Sequence, residues 1–285
     1  MTLRERAAKG VATRALLLAA IVGLTALGVV WANHRANTRP LIDDQPALEA
    51  RSTTRAPVLV ELFTSEGCSS CPPADELLAR LERTQPVPGA EVIALSEHVD
   101  YWNRLGWTDP YSSAQFSERQ SDYARAFESD DVYTPQMIVD GRTGFVGSSF
   151  DNAHNAITRA AQQSKANVSA KLVSQDVSSA TLSVVIESLP DRSDDAELLV
   201  AITESDLRAN VSRGENAGRR LSHTAVVRKL LNVSTVRSQE SAAFNAQPVL
   251  RIDKTWKREN LRAVVFLQER ESRRVLGAAA LSLAR

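Results

Sequence analysis

The sequence predicts an α/β domain followed by an antiparallel, β-sandwich-like domain, with one apolar helix ahead of both. Three observations carry this expectation. Between Val58 and Gln163, short apolar runs alternate with stretches of helical spacing, the pattern of strand–helix–strand units. After about Lys165, short strands and polar turns recur at regular intervals without a helical period. At the N-terminus, Arg4, Arg6, Lys9 and Arg14 precede an uncharged run from Ala15 to Ala32.

Composition narrows the function classes. A chain of 285 residues has room for two domains at roughly 100–200 residues each. With 43% hydrophobic and 24% charged residues it matches globular averages, which argues against a disordered, collagen-like or multi-span chain. Lys+Arg and Asp+Glu both number 34, so beyond the first residues no basic excess points to nucleic acid. Two cysteines are too few for a disulfide-rich scaffold or a four-cysteine zinc site.

The elements follow in order. As a helix, the run Ala15–Ala32 is about 27 Å long, enough to span a hydrocarbon core. Its basic flank keeps the N-terminus in the cytoplasm and predicts export of the rest. Residues 1–33 read as a signal anchor with a transmembrane helix, or as a signal peptide cut after Ala32. Residues 34–57, polar and carrying Pro40 and Pro46, read as a linker. The α/β domain is expected over 58–164. Val58–Phe63 is its first buried strand, and Leu77, Leu78 and Leu81 mark a helix that Pro86, Pro88 and Gly89 end. Val92–Leu95 is a second strand, and a helix follows over 112–127. Gln136–Val139 and Gly144–Val146 then form a hairpin through Asp140-Gly141, and a helix over 151–163 closes the unit. In the β-rich part, residues 165–285, strands are expected at Thr181–Leu189, Glu197–Thr203, Thr224–Leu230, Pro248–Ile252, Leu261–Gln268 and Val275–Leu283.

The chemistry centres on Cys68-Ser69-Ser70-Cys71, set where the first strand hands over to the first helix. Cysteines at i and i+3 can close and open a disulfide with little backbone motion. The helix N-terminus stabilises a thiolate through its unpaired N–H groups and positive dipole end. Cys68 is therefore the expected nucleophile and Cys71 the resolving thiol. Pro72 and Pro73 fit the first helical turn, although Pro72 disfavours the α conformation at Cys71. A static disulfide clip, or half of a metal site, explains the same spacing.

His98 and Asp100 stand at the end of the second strand. Either His98 modulates a thiolate and shuttles its proton, or it bonds the Tyr101/Trp102 loop, or it completes a Cu(I) site with Cys68 and Cys71. Glu66 is close to the pair, and a carboxylate there opposes thiolate formation. Tyr101, Trp102, Trp107, Tyr111 and Phe116 concentrate aromatics, either as the rim of a substrate groove or as packing of an insertion. Gly214-Glu215-Asn216 with His223 reads as a turn plus a strand-edge histidine.

Phe63 through Asp75, His98-Val99-Asp100-Tyr101-Trp102, Gly106-Trp107 and Tyr133-Thr134-Pro135-Gln136 together resemble domain of unknown function 1223, a thioredoxin-like family of exported, mainly bacterial proteins. Gly214-Glu215-Asn216, His223 and Phe266-Leu267-Gln268 also fit its pattern, so the resemblance runs from about Val58 to the C-terminus. It implies a thioredoxin-like fold for 58–164. It also implies an extracytoplasmic setting: the periplasmic face of the inner membrane, or the periplasm or exterior if the N-terminal segment is cleaved. In thioredoxin-like folds a cis-proline at the place of Pro135 faces the cysteine pair, and the backbone beside it accepts a substrate peptide. Thr134 and Pro135 are therefore the implied substrate contacts.

The expected function is thiol–disulfide exchange by Cys68 and Cys71, with Glu66, His98, Asp100, Tyr101 and Trp102 as candidate modulators. It needs no organic cofactor and no metal, only the redox-active disulfide, a protein substrate and an upstream redox partner. Membrane contact would come through the N-terminal helix, and no nucleic acid is involved. The alternatives are a copper-binding or delivery protein using Cys68, Cys71 and His98, and a non-catalytic interaction module.

Overall fold

The apolar run after the linker forms strand β1 (Ala56–Thr64), buried along almost its whole length. Helix α1 (Pro72–Thr84) starts on Pro72 and Pro73, whose missing N–H groups cost nothing in a first turn. It ends at Gln85, which takes a left-handed conformation with its N–H on the Leu81 carbonyl. Next come β2 (Ala90–His98), α2 (Ala114–Ala126), capped by the Ser113 hydroxyl, β3 (Gln136–Val139), β4 (Thr143–Val146) and α3 (Phe150–Ala161), capped by Ser149. Strands then follow almost without interruption: β5 (Asn167–Gln175), β6 (Ser179–Glu187), β7 (Ala196–Glu204), β8 (Leu207–Asn210), β9 (Arg220–His223) and β10 (Val226–Val236). The last four are β11 (Phe244–Ala246), β12 (Val249–Arg251), β13 (Leu261–Glu269) and β14 (Val275–Ser282).

This computed structural model describes residues 55–187, 190, 195–237 and 243–284. The expected N-terminal helix and nearly all of the expected linker lie outside them. Among the described residues no helix is long and apolar enough to cross a membrane.

The expected elements appear near their places and β5, β8, β9 and β11 stand where none was expected, but the assembly overturns the expected fold class. The chain is not an α/β thioredoxin-like domain followed by a β-sandwich. It is mostly β, and its centre is one mixed eight-stranded sheet in the order β14-β13-β7-β10-β2-β1-β3-β4. Strands from both halves of the chain share that sheet. They join where β10 pairs in parallel with β2 at Val226 and Ser96, with the Ser96 N–H on the Ala225 carbonyl at 2.8 Å. The physical reason lies in burial. A sandwich strand has one wet face and alternates, whereas β7 and β13 are buried on nearly every residue and need cover on both faces. Strand β6 shows the alternation of a one-sided strand.

Three apolar clusters supply the cover. Helices α1 and α3 pack on Val58, Val60, Leu62, Val92 and Ala94. On the same face, a smaller sheet of β5, β6, β11 and β12 covers Leu198, Val200, Ile202, Ala263 and Val265. The opposite face is covered by α2, whose Phe116 and Tyr123 meet Leu59, Phe63, Ile93, Leu199, Val264 and Phe266. The α2 cluster thus takes residues from both halves of the chain.

A buried polar cluster anchors α2. The Arg119 guanidinium donates to Glu61 Oε1 at 2.7 Å, to Gln268 Oε1 at 2.9 Å and to the Tyr123 hydroxyl at 3.1 Å. Glu97 Oε1 lies 3.4 Å from its Nε. Tyr123 in turn donates to Glu61, and Gln268 Nε2 donates to Tyr123 at 2.8 Å. Two carboxylates thus share one cation inside the protein. Burial, opposed by Arg119 and reinforced by Glu61, pushes the Glu97 carboxyl up from 4.5 to about 8.

An acid whose pKa rises on folding stabilises the protein below its unfolded pKa and loses that contribution as pH climbs to the folded value. Glu97 is therefore expected to make stability fall between pH 4.5 and about 8. Glu97→Gln should flatten that slope, as read from urea midpoints across the range. An identical slope in the variant would count against a protonated Glu97.

Candidate functional site

The strand β1 ends at Thr64, and a tight turn carries the chain into α1. Within it the Cys68 N–H reaches the Ser65 carbonyl and the Cys71 N–H reaches the Cys68 carbonyl, both at 3.2 Å. Gly67 has no Cβ, and one placed there would lie 3.2 Å from Trp102 Cβ, so glycine lets Trp102 close against the turn. Cys71 takes a helical conformation despite the proline after it, with φ −77° and ψ −38°. Cys68 and Cys71 form a disulfide, with their Cα atoms 5.4 Å apart. Cys68 Sγ also lies 3.3 Å from the Ser70 hydroxyl. Ser69 and Ser70 are exposed, while both cysteines are 0% exposed.

Beside the disulfide lies a set of buried polar groups rather than apolar core. His98 Nδ1 is 2.7 Å from Asp109 Oδ2, which also accepts the Glu66 N–H at 2.8 Å. Asp109 Oδ1 accepts the Tyr111 N–H at 2.9 Å. The Glu66 carboxylate takes the Trp107 indole N–H at 2.8 Å and faces His223 Nε2 at 3.0 Å. The rings of His98 and His223 meet edge to face with centroids 4.9 Å apart, and Tyr111 closes the group at 5.5 and 5.6 Å. Asp75, one helical turn beyond Cys71, is half-buried, with its backbone N–H on the Cys71 carbonyl at 3.1 Å. Among the described residues the buried atoms Asp75 Oδ1, His98 Nε2 and His223 Nδ1 have no hydrogen-bond partner.

The electrostatics follow from this packing. Burial pushes the Asp75 carboxyl up to about 6, with His223 and His98 pulling the other way. Burial disfavours a charged His98, but Asp109, helped by Asp75 and Glu66, outweighs it and raises the imidazole pKa. Burial likewise opposes ionisation of Asp109, yet His98 and the two backbone N–H groups hold its carboxyl below the ordinary range.

The segment from Val211 to Arg219, between β8 and β9, completes the site. Asn216 is buried, and its amide donates to the Glu66 carbonyl at 2.8 Å and to the Cys68 carbonyl at 2.9 Å. Glu215 Oε2 accepts the Ser69 N–H at 3.0 Å. Gly214, at φ +77°, sits where a Cβ would be 3.2 Å from Trp107 Cβ. The expected plain turn with a strand-edge histidine is thus corrected: Glu215, Asn216 and His223 all meet the cysteine turn or Glu66. Sequence spacing hides this, since about 150 residues intervene. The signals were the fit of Gly214-Glu215-Asn216 and His223 to the family pattern. Asp109 and Asp75 carried none as site residues.

The remaining candidates divide. Trp102 joins the site, packing on Gly67 and donating its indole N–H to the Thr134 hydroxyl at 2.7 Å. Thr134 is thereby linked to the cysteine turn, and the Thr134–Pro135 bond is cis. Asp100 instead accepts the Ser117 hydroxyl at 2.6 Å, and the Tyr101 hydroxyl donates to Gln120 at 3.1 Å, so both are tied to α2. Among the described residues no group of three or more His, Cys, Asp or Glu is arranged to hold a metal ion.

The family model described as protein of unknown function, DUF1223, matches residues 59–268. The crystal structure of protein AGR_C_4864 from Agrobacterium tumefaciens is similar at 28% identity and a TM-score of 0.60, covering 80% of this chain and 94% of that one. HBP35 of Porphyromonas gingivalis is similar in fold alone, at 14% identity and a TM-score of 0.61, covering 80% of this chain and 75% of that one. No curated protein matches the chain.

Asp109→Asn keeps an acceptor for the Glu66 N–H but removes the charge beside His98. The His98 pKa is expected to fall below its wild-type value in an NMR titration of the imidazole. An unchanged titration would mean that Asp109 does not hold the proton there. Asp109→Ala, which breaks the buried pair, should cost about 3–5 kcal/mol of stability.

Proposed function

We propose that this chain, which belongs to the DUF1223 family of proteins of unknown function, is an exported thiol–disulfide oxidoreductase acting through Cys68 and Cys71. One observation carries the reading: the Cys68–Cys71 disulfide stands at the entry to a 13-residue helix, beside buried groups that can take and return protons. The dipole of that helix favours a thiolate at Cys68.

The exchange balances as follows. A donor dithiol attacks Cys68 Sγ, the bond to Cys71 breaks, and Cys71 leaves as a thiolate and takes a proton. The second donor thiol then releases Cys68, and the donor ends as a disulfide. The Cys68 thiolate attacks a target disulfide, forming a mixed disulfide and expelling one target thiolate. Cys71 attacks Cys68 Sγ in turn, which closes the pair and frees the second target thiol. Two electrons pass from donor to target; the reverse order oxidises a target dithiol. No organic cofactor is needed.

Both sulfurs are covered, so a partner reaches Cys68 when the Gly214–Asn216 turn and the Trp107 loop give way. Thr134 and Pro135 are the proposed contacts for the partner's backbone, supported by the Trp102 link between Thr134 and the cysteine turn. Export, with a tether at the periplasmic face of the membrane or release after cleavage, is supported by the basic-flanked run Ala15–Ala32. A disulfide also persists best in an oxidising compartment.

Cys71→Ser is expected to accumulate mixed disulfides with partner proteins, visible as dithiothreitol-sensitive adducts on non-reducing gels, and Cys68→Ser to abolish them. The wild-type pair should equilibrate with glutathione at a potential between about −270 and −120 mV. No adducts with Cys71→Ser, together with a potential below about −300 mV, would make the pair a static clip.

A further inference from the structure

We infer that Glu215 is a positioning residue that holds the Cys68–Cys71 pair toward its disulfide form. The inference rests on the exchange reading above and adds a group that sets the redox balance of the pair. It begins with the amide of Ser69, the residue after Cys68. That amide, adjacent in the chain to Cys68, is spent on the Glu215 carboxylate at 3.0 Å. Hydrogen bonds from Ser69, side chain and backbone, hold the Glu215 carboxyl below the ordinary range, so it is charged at neutral pH. A second negative charge forming on Cys68 is then repelled and finds one donor fewer.

Thiolate stability sets the redox balance. A pair whose reduced form is stabilised as a thiolate is a strong oxidant, and one without that stabilisation favours the disulfide and reduces others. The ionisable groups around the pair come from six places. Glu66 lies in the cysteine turn, Asp75 on α1, and Asp109 and Glu215 on loops from opposite halves of the chain, while His98 and His223 come from β2 and β9. His98 is matched by Asp109 at 2.7 Å and His223 by Glu66 at 3.0 Å. The Arg219 guanidinium donates to the Asn216 side-chain Oδ1 at 2.8 Å. The Glu215 carboxylate is the charge that bonds directly to the backbone between Cys68 and Cys71.

The test uses the full chain. Glu215 is exposed, and Glu215→Gln keeps an acceptor for the Ser69 N–H while removing the charge. In the protein reduced by excess dithiothreitol, the Cys68 pKa, read from thiolate ultraviolet absorbance and iodoacetamide rates, should fall in the variant. The glutathione equilibrium should move toward the dithiol by about two- to fivefold, as for one exposed charge pair. Glu215→Arg should move both further, Glu215→Asp should return them toward wild type, and high salt should shrink every difference. Urea midpoints of the Gln variant should match wild type. A Cys68 pKa and equilibrium that do not change, or that move toward the disulfide, would overturn the inference. Failure of the exchange reading itself would show separately, as wild-type protein that does not equilibrate with glutathione, while the thiolate pKa still decides the role of Glu215.

Discussion

The site depends on one seam in the main sheet, where β10 lies parallel to β2 and the Ser96 N–H meets the Ala225 carbonyl. Strand β2 is buried along nearly its whole length, and β1 occupies only one of its edges. The other edge needs a partner, because unpaired backbone groups at a buried position are costly. Strand β10 supplies it, and β9, three residues upstream, comes with it. That short connection carries His223 onto Glu66 and the 211–219 segment onto the cysteine turn.

The seam also explains why so many polar groups are tolerated beside the disulfide. Two of the carboxylates there arrive with donors from other elements: Glu66 with Trp107 and His223, Asp109 with His98 and two backbone amides. Leaving any one of them unpaired would cost more than the pair contributes, so the set holds its geometry by mutual need. On the opposite face Arg119 donates to Glu61 and lies 3.4 Å from Glu97, whose oxygens accept no hydrogen bond among the described residues, and Gln268 ties that cluster to β13. Both clusters draw on both halves of the chain, so neither half satisfies its buried charges alone.

What was legible in the sequence was local. The apolar run of β1, the prolines that open α1 and the Asp140-Gly141 turn all act over a few residues, and reading them placed the elements. The cysteine pair was legible for the same reason. The sheet order was not, because alternation and run length report how a strand is buried without naming its neighbour. The continuous apolar run of β7 did hold a clue, since a strand wet on one face would alternate as β6 does. Glu215 and Asn216 looked like an ordinary turn, since Gly214 and its polar neighbours satisfy local turn chemistry whether or not anything packs beneath them.

The same distinction bears on how the pair's chemistry is set. The helix dipole is encoded within a dozen residues of Cys68 and favours a thiolate. Of the carboxylates that oppose it, Glu66 and Asp75 are local, whereas Glu215 comes from across the seam and reaches the turn only once the eight-stranded sheet has closed. The attacking thiol is thus defined by local sequence, and its electrostatic balance by long-range pairing. Redox character at Cys68 is therefore a property of the assembled sheet rather than of the Cys68–Cys71 motif. A reading of the motif alone leaves the redox balance of the pair open, because Glu215 and His223 belong to a turn and a strand about 150 residues away.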